Sequence, residues 1–369
     1  CNLHRYREGL VEPLCPTGGE FARPHWTFRP STYAFQNADR VLCTFNRKGL
    51  WSLGFIDTGS GSLTELDTPY NLVQDLRADS RRAVFVAGLA SEPRAVVEMN
   101  LETGDRWVLR WSSDLRYDPG YLSAPEPVEF PTERGKTAHG LYYAPKNRDY
   151  AGPADEKPPL LVKVHGGPTS ANVPALVLGV QYYTSRGFAV MDVNYGGSSG
   201  YGREYRKRLH GQWGVVDVED ACNAALHLAR EGRVDGNRMA ITGGSAGGYT
   251  TLAALAFRDV FAAGGSHFGV SDCERLALDT HKFESRYLDG LIGPYPERKD
   301  LYRERSPIYH VDGLSCPVIF FQGLEDRIVP PDQAEKMDDA LDAKGIPVAY
   351  LPFEGEQHGF RRAENMQRA

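Results

Sequence analysis

Two stretches of the chain place a serine between glycines in the pattern Gly-x-Ser-x-Gly. One is Gly196-Gly197-Ser198-Ser199-Gly200 and the other Gly243-Gly244-Ser245-Ala246-Gly247. A serine hydroxyl is a weak nucleophile at neutral pH and needs an adjacent general base, itself oriented by a third group. With 39 glycines in the chain the pattern decides little, so the flanks must decide. Arg238–Thr242 (RMAIT) reads as a short buried strand, and Gly248–Phe257 (GYTTLAALAF) as a buried helix. Ser245 would then sit on a tight strand-to-helix turn, with the helix N-terminus facing the reacting centre. Ser198 is followed by Gly200-Tyr201-Gly202, which is turn chemistry and reads as a Gly-rich surface loop. Ser245 is the expected nucleophile.

Its partners should follow later strands. Pro317–Phe321 (PVIFF) runs into Gln-Gly-Leu-Glu-Asp-Arg, which puts Asp326 in the loop just past that strand. Glu325 is the alternative carboxylate; Asp326 is preferred because its shorter side chain suits the reach needed to orient a histidine. Pro347–Phe353 (PVAYLPF) runs into Glu-Gly-Glu-Gln-His-Gly, which places His358 in the same way. His267, His281 and His310 also lie beyond Ser245 but do not follow the last strand. Serine, then acid, then histidine, each at a strand end, is the order of an α/β-hydrolase fold. An oxyanion hole needs two backbone N–H donors. One is the amide of Ala246. The other comes from His165-Gly166-Gly167-Pro168 after the strand Leu160–Val164; Pro168 has no N–H, so the donor is Gly167 or Gly166.

The elements around these residues agree. From Leu160 onward, apolar runs at 160–164, 188–193, 239–242, 318–322 and 348–353 alternate with helical stretches at 216–231, 249–257 and 332–344. Such alternation predicts a mostly parallel sheet with helices on both faces, preceded by extended segments within 126–145. The N-terminal third reads differently. Arg40–Leu66 and Arg82–Leu109 each hold two apolar strands, an Asp or Asn, a Gly-containing turn and a closing strand. Arg40 and Arg82 are 42 residues apart, and Leu66 and Leu109 are 43 apart. A period of that size with several short strands per unit is the mark of β-propeller blades. The expected organisation is an incomplete propeller over 1–115 and an α/β-hydrolase catalytic domain over 116–369.

Composition narrows the function. The 48 acidic against 42 basic residues give a net charge of −6, with no basic stripe to suit nucleic acid. No apolar run is long enough to span a bilayer. Six cysteines (Cys1, Cys15, Cys43, Cys222, Cys273, Cys316) show no metal-ligand spacing, so no metal is expected. They read as buried free thiols of a cytoplasmic protein, with a Cys273–Cys316 disulfide as the alternative. The chain opens on Cys1 rather than Met and stops at Ala369 soon after His358, which reads as a piece of a longer protein.

Taken together, His165–Pro168, Asn194–Arg203 (NYGGSSGYGR), Trp213-Gly214 with Asp217 and Asp220, Gly243–Gly248, and the Asp326 and His358 loops resemble the prolyl oligopeptidase family of serine peptidases. The His-Gly-Gly-Pro loop is most similar to its acylaminoacyl-peptidase and dipeptidyl-peptidase branch. The resemblance implies a propeller before the hydrolase domain and cleavage of short peptides through an acyl-enzyme, without a cofactor. It implies Ser245 as nucleophile, His358 as base then acid, Asp326 as orienting carboxylate, and the Gly167 and Ala246 amides as oxyanion donors. It also implies a substrate pocket walled partly by 270–287, with Leu276, Phe283 and Arg286 as candidates. Partners would be peptide substrates, neither nucleic acid nor membrane; the sequence is silent on oligomeric state.

Overall fold

The computed structural model of the chain describes residues 2–24 and 26–369. After a hairpin of β1 (His4–Arg7) and β2 (Leu10–Pro13), the N-terminal part forms two four-stranded antiparallel sheets. The first runs in order through β3 (Tyr33–Phe35), β4 (Arg40–Arg47), β5 (Leu50–Asp57) and β6 (Leu63–Leu66). The second holds β7 (Leu72–Ala78), β8 (Arg82–Gly88), β9 (Ala95–Asn100) and β10 (Arg106–Trp111). Strands β8 and β9 alternate buried and less buried residues (Ala83, Phe85, Ala87; Ala95, Val97, Met99), the period of a sheet with one face on a core. That core also takes Leu42, Leu53 and Phe55 from the first sheet, so the two sheets pack face to face.

The rest of the chain builds one eight-stranded sheet. Its strands are β11 (Glu126–Pro131), β12 (Thr137–Tyr143), β13 (Leu160–Val164), β14 (Ala189–Asn194), β15 (Met239–Gly244), β16 (Ala263–His267), β17 (Val318–Gly323) and β18 (Val348–Phe353). The order is β11-β12-β14-β13-β15-β16-β17-β18. Pairs β11/β12 and β12/β14 are antiparallel and every later pair is parallel. Helices α1 (Leu178–Thr184), α2 (Arg203–Lys207), α3 (Val216–Arg230), α4 (Ala246–Phe257), α5 (Cys273–Asp279), α6 (Tyr287–Leu291), α7 (Lys299–Glu304), α8 (Asp332–Ala343) and α9 (Ala363–Arg368) complete it. Leu160, Val162 and Val164 point into the main core with α3, α4 and α8, whereas Leu161 points to the opposite face with Val180 of α1. Helix α3 opens with Asp217 and Glu219, charges that suit its N-terminal dipole. Helix α4 is apolar all round because it is covered all round.

The α/β sheet and its long helices follow the sequence pattern, with two differences. Strand β16 is not among the apolar runs: Ala-Gly-Gly-Ser-His carries almost no strand propensity, and close packing selects it. The absent side chain of Gly264 leaves room for Leu255 of α4, which a Cβ would meet at 2.3 Å. Residues 196–200 are buried throughout, not the surface loop that the glycines suggest. Cys273 and Cys316 are both free, as are Cys15, Cys43 and Cys222; Cys1 lies outside the described residues. No helix among those residues is long and apolar enough to cross a membrane.

Candidate active site

Strand β15 ends at Gly244, helix α4 starts at Ala246, and Ser245 alone makes the turn between them, with φ 57° and ψ −121°. A non-glycine residue in that conformation costs about 1–3 kcal/mol and persists only where its surroundings hold it. Here the Ser245 N–H donates to His267 O at 2.9 Å and the Tyr249 N–H donates to Ser245 O at 3.0 Å. The flanking glycines are sterically required. A Cβ on Gly247 would lie 2.2 Å from Val164 O, and one on Gly243 would lie 2.4 Å from Gly247 O.

Asp326 and His358 come together from their separate strand ends. The Asp326 carboxylate is buried, and its Oδ1 accepts the N–H groups of Ile328 and Val329 at 2.8 and 3.0 Å. Its Oδ2 lies 2.7 Å from His358 Nδ1. An ionised carboxylate can only accept, so Nδ1 carries the proton and Nε2 keeps its lone pair. Glu325 is exposed and makes no such contact. Phe268, just beyond β16, packs its ring 4.8 Å from that of His358. No sequence signal pointed to Phe268, because the strand that delivers it was itself unreadable.

The His165–Pro168 loop lies against this turn. A Cβ on Gly166 would sit 3.3 Å from Ser245 Cβ and 3.8 Å from Ala246 N, so the loop backbone and the first amide of α4 border one space. Gly167 has φ 116°, open to glycine and strained for other residues. The loop is tied down by its own histidine. His165 Nδ1 lies 2.9 Å from Gly166 O, a carbonyl that only accepts, so Nδ1 donates and Nε2 accepts from Ser198 Oγ at 2.7 Å. Burial lowers the His165 pKa to about 4, which keeps the ring neutral. Tyr195 stacks on that ring and donates to Pro168 O at 2.7 Å.

Ser245, Ala246, Gly166, Gly167 and His358 line one cavity of about 1650 Å³. Leu276 and Phe283 also line it. Arg286 does not: its guanidinium turns away to Asp289 at 2.6 Å. The deep wall is apolar, from Trp213, Val270, Leu288, Leu291 and Val329. The mouth includes Trp26 and Phe28 from the N-terminal part, which sequence reading did not single out.

The model of the prolyl oligopeptidase family matches residues 175–369. The chain belongs to that family of serine peptidases. It is 32% identical to dipeptidyl aminopeptidase BIII of Pseudoxanthomonas mexicana over 65% of this chain and 36% of that protein. It is 31% identical to the acylamino-acid-releasing enzyme of Mus musculus over 96% of this chain and 51% of the other. Among solved structures, a puromycin-hydrolyzing peptidase of Mycobacterium tuberculosis is 44% identical, with a TM-score of 0.95 over 100% of this chain and 57% of that one. The chain thus spans between about a third and a little over half of these relatives' lengths.

Proposed function

We propose that this member of the prolyl oligopeptidase family hydrolyses peptide bonds of short peptides through an acyl-enzyme on Ser245. The observation that carries the reading is that His358, held by buried Asp326 at 2.7 Å, lines the same cavity as Ser245 on its strained turn. His358 Nε2 removes the Ser245 proton as Oγ attacks the scissile carbonyl, and Asp326 holds the imidazolium that forms. The carbonyl oxygen becomes an oxyanion facing the N–H groups of Ala246 and Gly167. His358 then returns the proton to the leaving amine. Water, deprotonated by the same histidine, adds to the acyl carbon and releases the acid and Ser245.

The domain reading belongs to the same proposal. Residues 1–115 are two blades of a β-propeller, supported by the repeat period and by two successive four-stranded antiparallel sheets. Residues 116–369 are the α/β-hydrolase domain. The apolar wall of Trp213, Val270, Leu276, Leu288 and Leu291 favours an uncharged, bulky side chain on the acyl side of the cleaved bond. Fluorophosphonate labelling followed by peptide mapping tests the reading, together with cleavage profiling on a peptide library. Label on Ser245 and cleavage after apolar residues are expected. Label elsewhere, or ester hydrolysis without amide hydrolysis, overturns it.

A further inference from the structure

The Tyr287 hydroxyl lies 3.2 Å from Gly167 O and 2.9 Å from Thr169 Oγ1, across 120 residues of sequence. A phenol has one proton to give and accepts one in return. The arrangement that uses both hydroxyl protons has Tyr287 donating to the Gly167 carbonyl and accepting from Thr169. Gly167 is the residue whose N–H the proposed mechanism needs, and its φ of 116° lies in a region that glycine shares with many neighbouring conformations. Such a residue keeps its amide aimed only if its other end is held. The far side of the loop is held through His165, Ser198 and Tyr195; Tyr287 holds the near side. Tyr287 itself is well packed, and burial pushes its phenol pKa up, so it remains a donor at neutral pH.

Tyr287 also opens helix α6, whose Leu288 and Leu291 form part of the deep apolar wall. One short element therefore both walls the pocket for the substrate side chain and fixes the oxyanion loop. We infer that Tyr287 is a positioning residue: it sets the Gly167 N–H for the transition state and makes that setting depend on the seat of α6 in the pocket wall. This rests on the assignment of Gly167 as an oxyanion donor. The phenol touches the loop rather than the reacting atoms, so its removal should weaken transition-state stabilisation while leaving ground-state binding intact.

The test is steady-state kinetics of Tyr287→Phe on a peptide amide, with Thr169→Val as a second variant that leaves the ring in place. Deleting an oxyanion donor outright costs about 100- to 1000-fold in kcat; loosening one should cost less, about tenfold for Tyr287→Phe and severalfold for Thr169→Val, with KM within about twofold. Affinity for a peptidyl boronic acid, which forms a tetrahedral adduct on serine, should fall by the same factor. Affinity for an uncleaved peptide, measured in a Ser245→Ala background, should not change. Thr169→Ser, which keeps the hydroxyl, should retain wild-type kcat. A wild-type kcat in both Tyr287→Phe and Thr169→Val overturns the inference. So does a loss that appears equally in peptide binding, which would make Tyr287 a mere pocket wall. A wild-type protein that fails to react with fluorophosphonate overturns the hydrolase reading itself, a result separable from either.

Discussion

Ser198 Oγ and His165 Nε2 lie 2.7 Å apart, a hydroxyl–imidazole pair with the outward form of a catalytic couple. It lacks what the couple needs. The other ring nitrogen faces the Gly166 carbonyl and not a carboxylate, so nothing stabilises an imidazolium. Ser198 is fully buried, and no substrate carbonyl can reach it. The second Gly-x-Ser-x-Gly segment is thus built into the support of the His165–Pro168 loop.

The two serines should separate cleanly on mutation. Ser245→Ala should reduce kcat to the residue that binding and the oxyanion hole supply, about 1,000- to 10,000-fold above the uncatalysed reaction. Ser198→Ala should cost turnover no more than severalfold, through a loosened His165–Pro168 loop, and leaves His165 Nε2 buried without its donor, at a cost of about 1–3 kcal/mol in stability. Turnover of an aminoacyl chromogenic substrate and a urea melt of each variant decide it; loss of turnover confined to Ser198→Ala would reverse the assignment.

The two adjacent acidic residues should differ as sharply. Asp326→Asn keeps the shape but presents an amide to His358 Nδ1, favours the wrong tautomer, and should lower kcat by about 10,000-fold. Glu325→Gln changes an exposed side chain and should leave kcat within about twofold. Single-turnover acylation rates for the pair provide the measurement.

Much of this site was legible because each piece carries its own local signal. The nucleophile turn is marked by small residues that a close strand–helix contact demands, and the Asp326 and His358 loops by the apolar strands before them. What could not be read depends on packing across the fold. Strand β16 packs as it does because Gly264 leaves room for Leu255 of α4, so neither β16 nor Phe268 beyond it has a sequence signature. The burial of 196–200 depends on Asp220, whose Oδ2 takes the Gly196 N–H at 2.7 Å from 24 residues away. Tyr287 meets Gly167 only after the chain has closed. Arg286 lies off the cavity wall because its i,i+3 pairing with Asp289 turns it away, a contact that spacing alone does not reveal.

The buried carboxylates of α3 make a pH signature. Asp217 accepts from the Gly214 N–H and the Thr250 hydroxyl, and Asp220 from the Gly196 N–H and the Thr132 hydroxyl. Burial outweighs these bonds and raises both pKa values to about 6. A folded-state pKa above the unfolded one means that the unfolded chain binds fewer protons between about pH 4 and 6. The stability these groups contribute is therefore full below pH 4 and lost as pH rises through 6, by on the order of 2–3 kcal/mol each. Asp217→Asn and Asp220→Asn should gain on the wild type as pH rises from 4.5 to 7. Urea midpoints at both pH values measure the difference; a wild-type slope in both variants would remove the carboxylates from the account.

The cavity wall gives the last prediction. Leu276 packs into the same apolar wall as Leu288 and Leu291, with little of its own surface exposed. Leu276→Trp adds bulk on the one side that is open, the cavity, since the core behind it cannot yield without strain. The space lost belongs to the substrate side chain, so peptides with a large apolar residue at the cleaved bond should be penalised while those with alanine there are spared. A clash of one or two methylene equivalents is worth about 1–3 kcal/mol, or about 10- to 200-fold in kcat/KM. Arg286→Ala is the matched control. Its guanidinium is exposed and paired with Asp289 outside the cavity, and surface pairs of that kind contribute about 0–1 kcal/mol. Its kcat/KM should stay within about twofold for both substrates. Paired kcat/KM values for a phenylalanyl and an alanyl substrate test both variants at once. Equal losses for the two substrates in Leu276→Trp would mean that the substrate side chain lodges elsewhere in the cavity, and a selective loss in Arg286→Ala would bring that residue back to the pocket.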